Sequence, residues 1–271
     1  MNSFFKDYVF CATLSLLFSF NVAADQAQEP AIIVIGASLS SGDLPLNDAG
    51  QGVLGGISIG LGSYLNLGHA LIKNSQLPGY VINEAQAGAT TFDRTHCTPE
   101  GECYENLWLS FAHQLDRALA RVGVPGVPGV YNAKYVVITL SNDCLHANAF
   151  GIPQEEAVPC TFDEFQASVD RQIALGQRIL NLGMTPIFDE AMSIEKLDLA
   201  TAGAVSGLLW MMDDASYVEL NTLRSQRIRA ELPGAVLLNI WGGEFETIDG
   251  IHPTDKSARK AATVIAKFVT N

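Results

Sequence analysis

Positive charge is scarce in this chain: 16 Lys+Arg stand against 29 Asp+Glu, a formal net charge of -13. Such a surface repels phosphate backbones and anionic headgroups, which argues against nucleic acid and anionic membranes as partners. Charged residues make up only 17% and aromatics 8% of the 271 residues, while 48% are apolar. A disordered tail, a coiled coil and a collagen-like repeat each need a different balance. The apolar run at residues 9–20 falls short of the ~20 residues that a bilayer span requires. It lies between Lys6 and the small residues Ala23 and Ala24, the pattern of a secretory signal cleaved after Ala24. This predicts a periplasmic or secreted protein, no stable membrane insertion after cleavage, and one domain over residues 25–271.

Cysteine is also sparse. Cys11 falls inside the signal without the small residues that precede a lipoprotein cysteine, which leaves Cys97, Cys103, Cys144 and Cys160. An even number in an exported chain predicts two disulfides, for which three connectivities are possible. Local pairing, Cys97 with Cys103 and Cys144 with Cys160, is expected. Neither pair has the C-x₂₋₄-C spacing of a zinc site.

What the chain does contain is an alternation of short β-branched runs with stretches of helical period. Residues 31–35 (AIIVI), 80–83 (YVIN), 135–140 (YVVITL), 185–188 (TPIF) and 235–239 (AVLLN) read as strands covered on both faces. Helices are predicted over 57–73, 106–122, 162–182, 217–232 and 254–269. The third opens on Thr161-Phe162-Asp163-Glu164, a capping box, and stops at Gly183. Five alternating units imply an α/β fold with one parallel sheet and helices on both faces. The segment 193–214 is less periodic and ends in an apolar LLWMM; it is read as a buried helix, with a lid over a pocket as the alternative.

In an open parallel sheet, ligands bind beyond the carboxyl ends of the strands. Four strings lie there: GASLSSG at 36–42, NEAQAGAT at 83–90, SND at 141–143 and DGIHP at 249–253. Together they hold the parts of a serine acyl-transfer site. Serine is a weak nucleophile unless a base takes its proton, and imidazole is the usual base. Ser38 can be the nucleophile, His252 the base, and Asp249, three residues earlier, the group that orients it. The backbone N–H of Ser38, the N–H of Gly88 and the side-chain amide of Asn142 can hold the oxyanion.

In these four strings the chain resembles the SGNH (GDSL-type) hydrolases, whose blocks carry Ser, Gly, Asn and His in this order. The DGIHP string is nearly complete against the family's D-x-x-H-P. The resemblance spans residues 31–271. It implies a three-layer αβα sandwich with a flavodoxin-like sheet of order 2-1-3-4-5, and metal-free ester hydrolysis through an acyl-enzyme, with no cofactor. Two positions depart from the family pattern: Ala37 stands where Asp is usual, and Ser141 where Gly is usual.

Each residue has a plainer reading. Ser38 can cap a turn, with Ser40 and Ser41 as rival nucleophiles; His252 can be a buried structural histidine; Asp249 can cap a helix; Gly88 and Asn142 can serve ordinary turns. The ordered set favours the chemical reading. Other charged residues near strand ends (Asp189, Glu190, Glu244, Glu246) read as solvated surface, and His146 as a possible pocket residue. The G-x-G-x-x-G string at 50–55 and the S-x-x-K string at 257–260 lack their structural context and are set aside. The expected function is hydrolysis of a carboxylic ester on a small-molecule, lipid or acylated-carbohydrate substrate. The alternatives are a polysaccharide O-deacetylase on the same fold, or a non-catalytic binding protein.

Overall fold

The computed structural model describes residues 30–41, 52–54, 57–59, 66–97, 103–144, 160–206 and 212–271, and among them are nine strands and six α-helices. In chain order they are β1 (Ala31–Ile35), β2 (Gly52–Leu54), β3 (Ile57–Ile59), α1 (Leu67–Ile72), β4 (Tyr80–Asn83), β5 (Arg94–Cys97) and β6 (Cys103–Trp108). Then follow α2 (Phe111–Val122), β7 (Ala133–Ile138), α3 (Phe162–Asn181), β8 (Thr185–Asp189), α4 (Leu199–Ser206), α5 (Asp214–Glu231), β9 (Val236–Leu238) and α6 (Asp255–Thr270). Five strands form one all-parallel sheet in the order β4-β1-β7-β8-β9. Numbered along the chain among these five strands, that order is 2-1-3-4-5, as expected from the resemblance.

β1 is buried along its whole length because it sits between two parallel neighbours with helices on both sides. Its side chains alternate between the two faces, as pleating requires. Ile32 and Val34 join Leu67 and Leu71 of α1 and Ala258, Ala261 and Ile265 of α6. Ile33 and Ile35 join Phe111, Leu115 and Ala118 of α2. Helix α6 owes its place to a 3.6-residue period: Ala258, Ala261, Ala262, Ile265 and Ala266 form one buried stripe, and its alanines let it lie close to α1. Its N-cap is Thr254, which accepts from the Ser257 amide. In α3 the predicted capping box is present in both directions, and Gly183 ends the element at φ +78°.

Two of the predicted helices are shorter than their periodicity suggested. Residues 57–59 form β3, paired antiparallel with β2, so the helix begins only at Leu67. Residues 106–108 belong to β6, which pairs with β5, and Ser110 caps the helix that starts at Phe111. In both places an antiparallel partner offers the backbone a ladder, and pairing overrides the apolar period. Within the 50–55 glycine string, residues 52–54 form β2, paired antiparallel with β3; the rest of the string lies outside the described residues. The expected signal segment 1–24 and most of the LLWMM run lie outside the described residues, though Met212 is buried in the core. Between 193 and 206 the chain forms a 3-10 turn, Ile194–Lys196, and then α4.

Candidate active site

β1 delivers the chain into a tight turn at the carboxyl edge of the sheet. The amides of Ser40 and Ser41 both donate to Ala37 O, at 3.0 and 2.9 Å, which sets Ser38 at the top of the turn. The three serines then separate by environment. Ser40 is fully buried and its hydroxyl donates to Thr139 Oγ1 at 2.8 Å, and Ser41 is buried too. Ser38 is half-buried, and its Oγ lies 2.8 Å from His252 Nε2. Geometry therefore selects Ser38 from its rivals.

The turn is held from beneath by a side chain that the sequence did not single out. Buried Gln114 of α2 accepts from Gly36 N–H at 2.8 Å and donates to Gly36 O at 3.1 Å and to Leu109 O at 3.1 Å. Position 36 must be glycine for lack of space, since a Cβ there would sit 2.1 Å from Thr139 Oγ1. Ala37, where the SGNH pattern has Asp, is 2% exposed and packs in the apolar cluster with Ala89 and Phe111. A carboxylate at that spot would be desolvated, so the small apolar residue suits this core.

His252 comes from the loop between β9 and α6, which is knotted by its own hydrogen bonds. Ile248 N donates to His252 O at 2.9 Å and Thr254 N to Glu246 O at 2.9 Å. Asp249 organises the turn: its Oδ1 accepts from Ile251 N at 3.1 Å and His252 N at 2.8 Å, and its Oδ2 lies 2.7 Å from His252 Nδ1. Desolvation by burial pushes this carboxyl's pKa up, but the bonds and charge of His252 and the Ile251 amide outweigh it and hold the pKa below the usual aspartate value. An ionised carboxylate only accepts, so the imidazole proton sits on Nδ1. Nε2 is then left with its lone pair directed at the Ser38 hydroxyl. Ser38, His252 and Asp249 thus form one continuous hydrogen-bonded chain across 214 positions of sequence.

The two remaining predicted residues lie on loops tied to this turn. Gln86 N donates to Gly36 O at 3.2 Å, linking the loop after β4 to the loop after β1. Asn142 N donates to Ala89 O at 3.0 Å, linking the loop after β7 to the same segment. Gly88 takes φ +79°, a conformation that a side chain would strain. Beside Asn142, the buried carboxylate of Asp143 accepts from Thr91 N at 2.8 Å, Thr91 Oγ1, Ser168 Oγ at 2.6 Å and Arg171 at 3.3 Å. Cys144 follows at φ +65° and is bridged to Cys160, immediately before the Thr161 cap of α3. Ser141 is buried without a positive φ, so its side chain is accommodated where the family usually has glycine.

The second expected disulfide is framed by backbone only: Cys97 and Cys103 stand opposite each other in the β5–β6 ladder, and their side chains lie outside the described residues. His146 lies outside them as well. Asp189 departs from the sequence reading. It is not solvated surface but 1% exposed, with Arg224 at 2.9 Å, Trp241 Nε1 at 3.2 Å and Leu140 N at 3.2 Å as its donors. Burial pushes its carboxyl pKa up, while the Arg224 charge and these bonds pull it down. Glu190 is half-buried beside Arg229 rather than fully solvated, whereas Glu244 and Glu246 are exposed partners of lysines. Ser257, the serine of the S-x-x-K string, is spent on Glu246 O at 3.0 Å.

No protein-family model matches the chain, and no curated protein matches it in sequence. Solved structures do match along most of its length. A carbohydrate acetylesterase from Sinorhizobium meliloti is 15% identical, with 89% of this chain and 98% of that one covered and a TM-score of 0.55. An inhibitor-bound aryl esterase from M. smegmatis is 15% identical at the same coverages, with a TM-score of 0.52. At such identities the likeness establishes the fold, and with the 2-1-3-4-5 parallel sheet that fold is the SGNH-hydrolase α/β sandwich.

Proposed function

We propose that this chain, which has the SGNH-hydrolase fold, is a serine ester hydrolase working through an acyl-enzyme. The observation that carries the reading is the Ser38–His252–Asp249 chain, with links of 2.8 and 2.7 Å. Ser38 Oγ attacks the ester carbonyl as His252 Nε2 takes its proton, and Asp249 stabilises the imidazolium that forms. The negative charge moves to the carbonyl oxygen, where Ser38 N–H, Gly88 N–H and Asn142 Nδ2 donate to it. The intermediate collapses, the alcohol oxygen leaves with the proton from Nε2, and the acyl group stays on Ser38. A water, deprotonated by the same nitrogen, then attacks the acyl carbonyl; the bond to Ser38 Oγ breaks, Oγ takes the proton back from Nε2, and the acid is released.

Substrate classes consistent with this reading are small-molecule, lipid and acylated-carbohydrate esters. We place the protein in the periplasm or outside the cell, as one domain over 25–271 after removal of residues 1–24. The Cys144–Cys160 bridge supports an oxidising compartment. Ser38→Ala is expected to lower kcat by on the order of 10⁶-fold with little change in melting temperature. A fluorophosphonate should add covalently to the wild type at Ser38 and leave the variant unmodified. Retained turnover in Ser38→Ala refutes the nucleophile, and a wild type that is neither labelled nor active on esters favours a binding protein.

A further inference from the structure

An aromatic ring stands open four residues past Gly88: Phe92 is 42% exposed. Its backbone is tightly fixed. Thr90 Oγ1 donates to Phe92 O at 2.6 Å, Phe111 N donates to Thr90 O at 3.2 Å, and Thr91 N donates to Asp143 at 2.8 Å. The ring is fixed too, by the Arg171 guanidinium lying over it at 4.9 Å from the centroid. Arg171 is itself anchored, with Nε on Thr91 Oγ1 at 2.6 Å and Nη2 on Asp143 Oδ2 at 3.3 Å. The ring and the cation above it are therefore both referenced to the carboxylate that follows Asn142.

The exposed ring is thus in contact with an anchored cation. Four residues span at most ~14 Å, so Phe92 lies within reach of a substrate group one or two rings away from an ester held at Gly88. Its surroundings are polar: Asp93 Oδ1 and His113 Nδ1 lie 2.9 Å apart beside it, both close to half exposed. A fatty chain binds by contiguous apolar area, and one ring flanked by charges supplies little of that. A sugar ring presents an apolar C–H face and a hydroxyl rim, which match the ring face and its polar border respectively. We propose that Phe92, with Arg171 as its positioning residue, is a stacking platform for the sugar ring on the alcohol side of the ester. The substrate class is then an O-acylated carbohydrate, an inference that rests on the esterase reading above.

The test compares acetylated xylotriose and peracetylated cellobiose with ethyl acetate, which has no ring, on the full chain. Phe92→Ala should lower kcat/KM for the sugar esters roughly tenfold, mostly through KM, and leave ethyl acetate within about twofold. Phe92→Trp should restore the sugar esters. Equal losses on both kinds of ester, no loss on sugar esters, or a larger loss on tributyrin overturns the platform while leaving the esterase intact. Calorimetric binding of acetylated xylotriose to Ser38→Ala, with and without Phe92→Ala, needs no turnover. Binding that depends on Phe92, together with a wild type that hydrolyses no ester, sinks the esterase and keeps the platform; sugar esters that are neither bound by Ser38→Ala nor cleaved by the wild type sink the platform.

Discussion

Asp249→Asn separates geometry from chemistry at this site. The carboxylate accepts three bonds, and two of them, from Ile251 N at 3.1 Å and His252 N at 2.8 Å, fall on Oδ1. Asparagine keeps an oxygen there, so the turn should persist. The change falls on Oδ2, 2.7 Å from His252 Nδ1, which becomes an NH₂ group facing an N–H. Two donors cannot share that contact, so the imidazole must move its proton to Nε2, the nitrogen beside Ser38. The base then has no lone pair for the serine hydroxyl. In serine–histidine–aspartate sites this tautomer error lowers kcat about 10⁴-fold, or about 5.4 kcal/mol of barrier. The lost charge-assisted bond should cost about 1.5–3 kcal/mol of stability, a far smaller effect than the rate loss. Stopped-flow or spectrophotometric hydrolysis of p-nitrophenyl acetate, with a melting curve on the same sample, reads both. A loss of less than tenfold in a folded variant would show that Asp249 does not set the imidazole tautomer.

The same carboxylate predicts a pH dependence. Its pKa in the fold lies below the unfolded value of about 3.9. The ionised form therefore adds stability that is present above that value and lost as pH falls through the folded pKa. The melting-temperature gap between wild type and Asp249→Asn should hold above about pH 5 and shrink as pH falls from there through the folded pKa; a gap that stays constant on acidification contradicts it. Gln114→Leu strands the buried N–H of Gly36, at about 1–3 kcal/mol, and leaves Gly36 O only the Gln86 amide, which loosens the turn beneath Ser38. Urea unfolding should register the loss and kcat should fall with it; unchanged stability would refute the clamp. Arg224→Met leaves Asp189 buried without its cation and should cost about 3–5 kcal/mol. Replacing both, with Asp189→Leu, should recover part of that loss in the same unfolding assay.

Elements set by neighbouring residues are legible in the amino-acid order itself. The apolar run at 31–35, the capping box at Thr161–Glu164 and the 3.6-residue stripe of α6 depend on propensities and bonds that reach only a few positions. So does Asp249 at three residues from His252, and the order of the four strings points to the right loops. Where a distant partner decides, the sequence is silent or misleading. Residues 57–59 and 106–108 carry helical spacing yet pair as strands, because a second strand satisfies their backbone. Asp189 reads as surface until Arg224, 35 positions on, meets it inside the core. Gln114 reaches Gly36 across 78 positions, and Arg171 reaches Thr91 across 80. The chain thus specified for itself which residue types stand at the ends of which strands. Tertiary packing decided which of three serines faces the imidazole and which charges go without water, since burial and long-range hydrogen bonds exist only once the distant segments have met.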